Sequence, residues 1–359
     1  MKNQAVFLDF LLKEWLLLAS VAGLLVSSVH LQRIPSFTGQ DVQFLLTLTA
    51  LFVTVKGLER SGLMTRLSRP LRNGRGVPLK LVVATFVLSM LVTNDVALLV
   101  IVPLTLALDT TRKDLLVILE ALAANAGSAL TPFGNPQNLF IYWSYGLHPG
   151  EFVAAIAPLA VVSLIVLALA SLAIRVTVGP EPDSGATQPG SRALVYTGFL
   201  IALILVVLHV LPVWVGAVVI GFALVLDRGS LRIDLSLLLT FVCFFGLADN
   251  MKVLFEAAIE HSGHVFILSA LTSQVISNVP AALLFAKFTT QWKALLWGTN
   301  VGGFGSLIAS LANLIAYRLY VTHESTGDIM SFTLRFTVLG YVAFFLGLGL
   351  YGCMESGCP

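Results

Sequence analysis

The sequence predicts an all-α polytopic membrane protein made of two inverted repeats, each with a re-entrant helical hairpin and a discontinuous transmembrane helix. Three observations predict it. Of 359 residues, 57% are hydrophobic and only 11% charged, against about a quarter charged in ordinary soluble domains. The chain therefore lacks the side chains to cover a water-facing surface, and its mean hydropathy of +0.92 agrees. Apolar runs of membrane-spanning length recur along it. A polar-tipped apolar stretch followed by a longer, broken one occurs twice.

A helix needs about 20 apolar residues to cross a ~30 Å hydrocarbon core. By that rule spans fall near 15–31, 42–58, 152–176, 193–209, 212–226, 234–250 and 331–351. Lys2 and Lys13 precede the first run, but no small-residue cleavage site follows it. It reads as a retained span rather than a signal peptide. Leu211-Pro212 marks a turn between two closely set spans. Residues 177–192, with Gly179, Pro180, Pro182, Gly185, Pro189 and Gly190, are linker-like and fall at mid-chain. They separate a first repeat, 1–176, from a second, 193–359.

The stretches 80–108 and 264–289 each carry a polar tip, Thr93-Asn94-Asp95 and Ser277-Asn278-Val279. An arm of about a dozen residues reaches roughly 20 Å, too short to cross. Such arms suit a hairpin whose irregular tip is buried in protein or faces a watery cavity. The stretches 112–143 and 292–320 are longer than one span requires and are interrupted by Gly, Pro and Asn, which suits discontinuous helices. Charge tests this reading. With hairpins and a cytoplasmic N-terminus, Arg33, Lys252, Lys287 and Lys293 lie outside and the rest of the 21 Lys and Arg inside. With full spans the charge divides far more evenly, so the positive-inside rule favours hairpins. They open on opposite sides of the inner membrane, the linker is cytoplasmic and the C-terminus external.

The repeat is visible residue by residue. Aligning 125–142 with 300–317 pairs Asn125 with Asn300, Gly127 with Gly302, Asn138 with Asn313, Leu139 with Leu314 and Tyr142 with Tyr317. Thr131 and Asn135 meet Ser306 and Ser310, and Ser128 meets Gly303. The tips pair as Thr93-Asn94 with Ser277-Asn278, and Gly57-Leu58-Glu59 with Gly246-Leu247-Ala248 is a weaker third match. A helix broken at mid-depth leaves unpaired amides at one end and unpaired carbonyls at the other. The amide end favours anions, while carbonyls and side-chain oxygens coordinate a cation. The candidate substrate- or ion-binding residues are Thr93, Asn94, Asp95, Gly127, Ser128, Thr131, Asn135 and Asn138 in the first repeat. In the second they are Ser277, Asn278, Asn300, Gly302, Gly303, Ser306 and Asn313.

The pattern Thr93-Asn94-Asp95, Asn125-x-Gly127-Ser128-x-x-Thr131-Pro-x-Gly134-Asn135-Pro-Gln-Asn138, Ser277-Asn278 and Asn300-x-Gly302-Gly303 resembles the ion transporter superfamily. That group holds arsenite permeases, Na+/H+ antiporters, citrate carriers and divalent-anion sodium symporters, and the resemblance covers nearly the whole chain. It implies an elevator-type secondary transporter, often a homodimer, with Na+ or H+ as coupling ion and no other cofactor. Carried over residue by residue, it makes Asn94, Gly127, Asn278 and Gly302 the Na+ candidates, with Thr93 and Ser277 beside them. The divalent-anion members have Ser-Asn-Thr tips. This chain departs at Asp95 and Val279: Val279 offers a carboxylate no hydroxyl, and Asp95 repels one.

Simpler roles compete at each position. Asn and Ser at tips cap helices, Gly127, Gly302 and Gly303 permit close helix packing, and Asn138 and Asn313 can bond between helices. Glu120, an acid in an apolar stretch, is a functional candidate. Glu260-His261 and His264 read as a solvated amphipathic face, and the Arg66–Lys80 run as an orientation signal. Cys353 and Cys358 are close enough in sequence for a disulfide, while Cys243 stands apart. A net charge of +2 leaves no footprint for nucleic acid. The chain has no His-Glu-x-x-His and no Gly-x-Ser-x-Gly, so an enzyme is not expected. The expected activity is Na+- or H+-coupled permeation of a small inorganic or organic anion. Arsenite efflux or Na+/H+ exchange is the main alternative, and a channel the weaker one.

Overall fold

The structure, a computed structural model, describes residues 14–72, 76–108, 110, 112–174, 192–255, 264–324 and 326–356. Lys2, Lys13, linker residues 177–191, Glu260-His261 and Cys358 lie outside the described residues. The described residues are helical and turn-like throughout. Helix α1 is Trp15–Leu31, closed by Gln32 in the left-handed conformation, φ 51°. Helix α2, Gly39–Arg60, starts at a capping box in which Thr38 and Asp41 satisfy each other's backbone amides. The short α3 is Leu63–Ser68.

The first polar-tipped stretch is a helix pair, α4 (Val77–Leu91) and α5 (Asn94–Leu106). The broken stretch that follows is α6 (Lys113–Ala129) and α7 (Pro136–Ser144). Helix α8, Pro149–Leu172, completes the repeat. The second repeat brings α9 (Arg192–Val207), α10 (Trp214–Leu226) and α11 (Leu235–Phe255). Its hairpin is α12 (Val265–Ile276) and α13 (Asn278–Ala286). Its broken helix is α14 (Trp292–Gly302) and α15 (Leu311–Val321), and α16 runs from Ile329 to Glu355. The two repeats of hairpin and discontinuous helix are thus present in the fold.

Among the described residues, four helices are long and apolar enough to cross a membrane: Gly39–Arg60, Pro149–Leu172, Leu235–Val253 and Ile329–Glu355. Val161, Ile165, Leu169 and Leu172 on α8, and Leu334, Val338, Val342 and Phe345 on α16, are exposed at helical spacing. Lipid accommodates such stripes; water would not. The expected span 212–226 shortens to the 13 residues of α10, or about 20 Å, because Pro212 delays helix entry.

Packing explains how the site is held. Helix α4 lies along α6, and α12 along α14. The returning arms cross over: α5 packs on α15, and α13 on α7. This bundle is flanked by α8 and α16, with Asp114 on α6 paired to Arg335 on α16. Helices α1, α2, α9, α10 and α11 pack together beside it. The seam between the two bodies is aromatic: Phe44 of α2 meets Phe140 of α7 at 5.4 Å and Phe245 of α11 at 5.6 Å between ring centres.

Candidate functional site

Each broken helix is seated against its hairpin by a glycine. A Cβ at Gly127 would strike the Phe86 carbonyl and the Ser89 hydroxyl, and one at Gly302 would meet Ser273 at 2.6 Å and the Ala270 Cα at 3.1 Å. Side chains of any size would push α4 from α6, or α12 from α14. Just beyond, Thr131 donates through Oγ1 to the Met90 carbonyl at 2.8 Å, and Ser306 through Oγ to the Gln274 carbonyl at 3.1 Å. The same seat is built twice.

The breaks themselves are closed by asparagine. Asn135 ends the first break and accepts the Asn138 N–H at 2.9 Å; Ser310 accepts the Asn313 N–H at 3.2 Å. Asn138 Nδ2 then turns back onto the carbonyls of Ser128 and Ala129, at 3.1 and 2.9 Å. Asn313 Nδ2 does the same to Gly303 and Ser306, at 3.1 and 3.0 Å. Carbonyls orphaned at the end of one half-helix are thereby satisfied by the start of the next. The repeats are also tied together. Asn125 and Asn300 each reach across to the other repeat, donating to Asn313 and Asn138. Asn135 adds a bond to Ser128 Oγ at 3.1 Å. All of these side chains are buried.

The hairpin tips join this network unequally. In the first, the Asn94 N–H donates to the Gly134 carbonyl at 3.2 Å, fastening the tip to the break. Asn94 Nδ2 approaches Asn125 Oδ1 at 3.5 Å. The Asp95 side chain has a buried oxygen, Oδ1, with no partner. In the second tip, Ser277 takes φ 77° and ψ 155°, a region strained for any residue with a side chain. Its hydroxyl donates to the Ala309 carbonyl at 3.3 Å. Gln274 Nε2 donates to the Gly302 carbonyl at 2.8 Å, while the matching residue in the first repeat, Met90, has no donor. The Gly127 carbonyl accepts instead from the Leu130 N–H at 3.0 Å, so the carbonyls of both breaks are engaged and the tips differ in Asp95 against Val279. Among the described residues no cluster of three or more His, Cys, Asp or Glu is placed to hold a metal ion. The oxygens on offer are amide, hydroxyl, carbonyl and single carboxylate, the set that coordinates Na+.

The tips and breaks face a cavity of about 120 Å³. The first turns of four helices line it: Asn94 and Asp95 of α5, Pro136 and Gln137 of α7, Asn278, Val279 and Pro280 of α13, and Leu311 of α15. Across from them stand Asp234, Thr240 and Phe241 at the start of α11, with Glu14 before α1. No Lys or Arg is among these described lining residues.

Of the residues read from the sequence, Thr93, Asn94, Ser128, Asn135, Asn138, Ser277, Asn278, Asn300 and Asn313 are buried around the breaks and tips. Gly303 lies beside Asn278, whose Nδ2 would sit 2.8 Å from a Cβ there. Asp95 opens to the cavity, whereas Gly127, Gly302, Thr131 and Ser306 face the hairpin arms. Asn125, Gln137, Gln274 and Asp234 complete the arrangement but were not among the candidates. Asn125 carried a signal in its match to Asn300; Gln137 and Gln274 carried none, because their counterparts are Ala312 and Met90. Glu120 is fully buried and away from the cavity, with Thr105 Oγ1 bonded to its Oε1 and Oε2 unpartnered.

Comparison with known proteins follows the same lines. The citrate transporter family pattern matches residues 10–302. The chain is 35% identical over 304 residues to the inner membrane protein YbiR of Escherichia coli (strain K12), covering 78% of this chain and 80% of that one. It is 32% identical over 290 residues to the uncharacterized transporter MJ0456 of Methanocaldococcus jannaschii, covering 77% and 78%. A shorter match, 31% over 166 residues, covers 44% of this chain and 33% of the silicon efflux transporter LSI3 of Oryza sativa subsp. japonica.

Proposed function

The chain belongs to the citrate transporter family, within the ion transporter superfamily, and from that premise we propose a Na+- or H+-coupled permease for a small anion. It is a multi-pass membrane transporter, not an enzyme. In the proposed mechanism the hairpins and broken helices, α4–α7 and α12–α15, move as one body past α1, α2 and α9–α11. One observation carries the anion reading. Four helix N-termini share one cavity, and each is worth about half a positive charge. Asp95, Asp234 and Glu14 line the same cavity and offset this charge, so a monovalent or partly protonated solute suits it better than a trianion. The cation would rest at the first tip, on oxygens of Asn94, Asp95 and Gly127, with a weaker twin at Asn278 and Gly302, where Val279 replaces the carboxylate.

A second reading has its own observation. Asp95, Asp234 and Glu14 line the cavity without a described basic residue, which favours an uncharged oxyacid exchanged for H+. The silicon efflux activity named for one relative supports that version. Thermal stability of the purified protein, scanned against Na+, pH, citrate, phosphate, arsenite and silicic acid, separates the two, because a ligand of the folded state raises stability by RT ln(1 + [L]/Kd). Uptake into proteoliposomes must then require a cation gradient. A unitary conductance, or uptake indifferent to both Na+ and pH, would overturn the coupled-carrier proposal.

A further inference from the structure

We propose that Gln137 is a direct contact to the transported solute and the residue that selects it. The proposal rests on the transport reading above and adds which side chain does the selecting. Gln137 is the second residue of α7, between two asparagines that are fully committed. Asn135 bonds Ser128 and the Asn138 N–H, and Asn138 bonds three carbonyls of the first break. Gln137 is 2% exposed as a residue and lines the cavity. Its amide atoms are not among the buried atoms left without a partner. Among the described residues no neighbouring helix engages them as Asn135 and Asn138 are engaged, so the carboxamide is free to bond what enters the cavity.

The second repeat shows that this amide is not needed to build the break. Its counterpart is Ala312, also buried, and α15 starts there as regularly as α7. The repeats differ at the helix starts that meet the cavity: Asn94 and Asn278 line it alike, but Asp95 and Gln137 of the first repeat stand where the second has Val279 and Ala312. Asp234 and Thr240 add polar groups from α11, so what sets the first repeat's helix starts apart is Asp95 and Gln137. A carboxamide offers one acceptor oxygen and two donor hydrogens, and an ionised carboxylate only accepts. Asp95 and Gln137, sharing one cavity, together fit a small solute whose oxygens both donate and accept hydrogen bonds. Hydroxyl-bearing weak oxyacids, neutral or singly charged, have that chemistry.

The test compares wild type, Gln137→Ala and Gln137→Glu in proteoliposomes, with arsenite, silicic acid, phosphate and citrate as probes, and with thermal stabilisation by each probe as a second readout. Gln137→Ala keeps the fold, as Ala312 does in the other repeat. It should raise KM for the carried solute at least about tenfold, the loss expected when a buried hydrogen bond to a ligand goes. Its kcat and its dependence on Na+ and pH should stay within about twofold of wild type, well under one such bond. Gln137→Glu, which exchanges the donor amide NH2 for an oxygen, should change the ranking of the four probes. A KM for Gln137→Ala within twofold of wild type, with the same ranking in both variants, overturns the proposal. Carriage of citrate in preference to the other three overturns the small-oxyacid class while leaving the KM comparison to judge Gln137. Wild-type uptake without any cation gradient overturns the coupled-carrier reading instead. Neither uptake nor stabilisation by any probe overturns both.

Discussion

Asn125 of the first broken helix donates to Asn313 of the second at 2.8 Å, and Asn300 of the second donates to Asn138 of the first at the same distance. The sequence repeat maps each bond onto the other. The two acceptors, Asn138 and Asn313, also satisfy carbonyls of their own breaks, so losing a donor loosens the amide that closes the opposite break. Asn125→Ala and Asn300→Ala should each cost roughly 1–3 kcal/mol, the range for a buried polar group left unsatisfied. A double-mutant cycle of Asn125→Ala with Asn313→Ala should give a coupling above about 0.5 kcal/mol. Denaturation of purified protein in mild detergent measures both; additive losses would mean the bond contributes little.

Gly127 and Gly302 act by what they lack. Gly127→Ala and Gly302→Ala should each destabilise by about 1–3 kcal/mol through overpacking, lowering yield and thermal midpoint. Gly198 on α9 has open space where its Cβ would be, so Gly198→Ala should be neutral or stabilising by up to ~1 kcal/mol. Equal effects at all three sites would remove the close-approach explanation.

The tips should respond unequally. Asn94→Ala is expected to weaken activation by the coupling cation about 5- to 150-fold, as loss of 1–3 kcal/mol of ligand would. Asn278→Ala should do less, because its tip has Val279 where the first has the carboxylate of Asp95. Transport titrated with Na+ and with pH, at matched expression, checks the order. Wild-type ion dependence in both variants would leave the tips as helix caps.

Much of this was legible beforehand, and the reason is physical. Hydrocarbon forbids lipid-exposed irregular backbone, so short apolar arms around Thr93-Asn94 and Ser277-Asn278 had little choice but to fold back. The paired asparagines marked the breaks because a broken helix must satisfy its orphan carbonyls locally. Periodicity could not say which of several polar residues would face a cavity and which a neighbouring helix. Thr131 and Ser306 look like ligands in sequence and bond hairpin arms in space. Gln137 and Asp234 became visible only when four helix starts and α11 met around one space. Nothing in the spacing of α7 and α11 links them.

Asp95→Asn retains size and most capping capacity while removing charge. It should leave stability close to wild type and alter the dependence of transport on pH between about 5.5 and 8.5, or exchange the coupling ion, because the carboxyl lines the cavity where the second tip has the uncharged Val279. Superimposable pH profiles, with and without Na+, would reduce Asp95 to a cap.

Orientation can be tested independently of transport. Reporters active in the periplasm or in the cytoplasm, fused at residue 185 and at the C-terminus, should place the linker inside and the C-terminus outside. A cytoplasmic signal from the C-terminal fusion would contradict the orientation drawn from Arg33, Lys252, Lys287 and Lys293.

The mismatch between Asp95 and Val279 also has an electrical consequence. A tip that crosses the bilayer with Asp95 ionised carries one negative charge of its own, and a monovalent anion adds a second. Two monovalent cations make that step electrically silent; one cation leaves a net charge that the membrane voltage pushes or holds, worth about 2.3 kcal/mol per 100 mV. Asp95→Asn would then change the valence of the moving body by one. Initial uptake rates at potentials clamped with valinomycin and K+ gradients should acquire, lose or reverse their voltage dependence in that variant. One carboxylate without a partner in the other repeat would thus set whether this carrier generates a current.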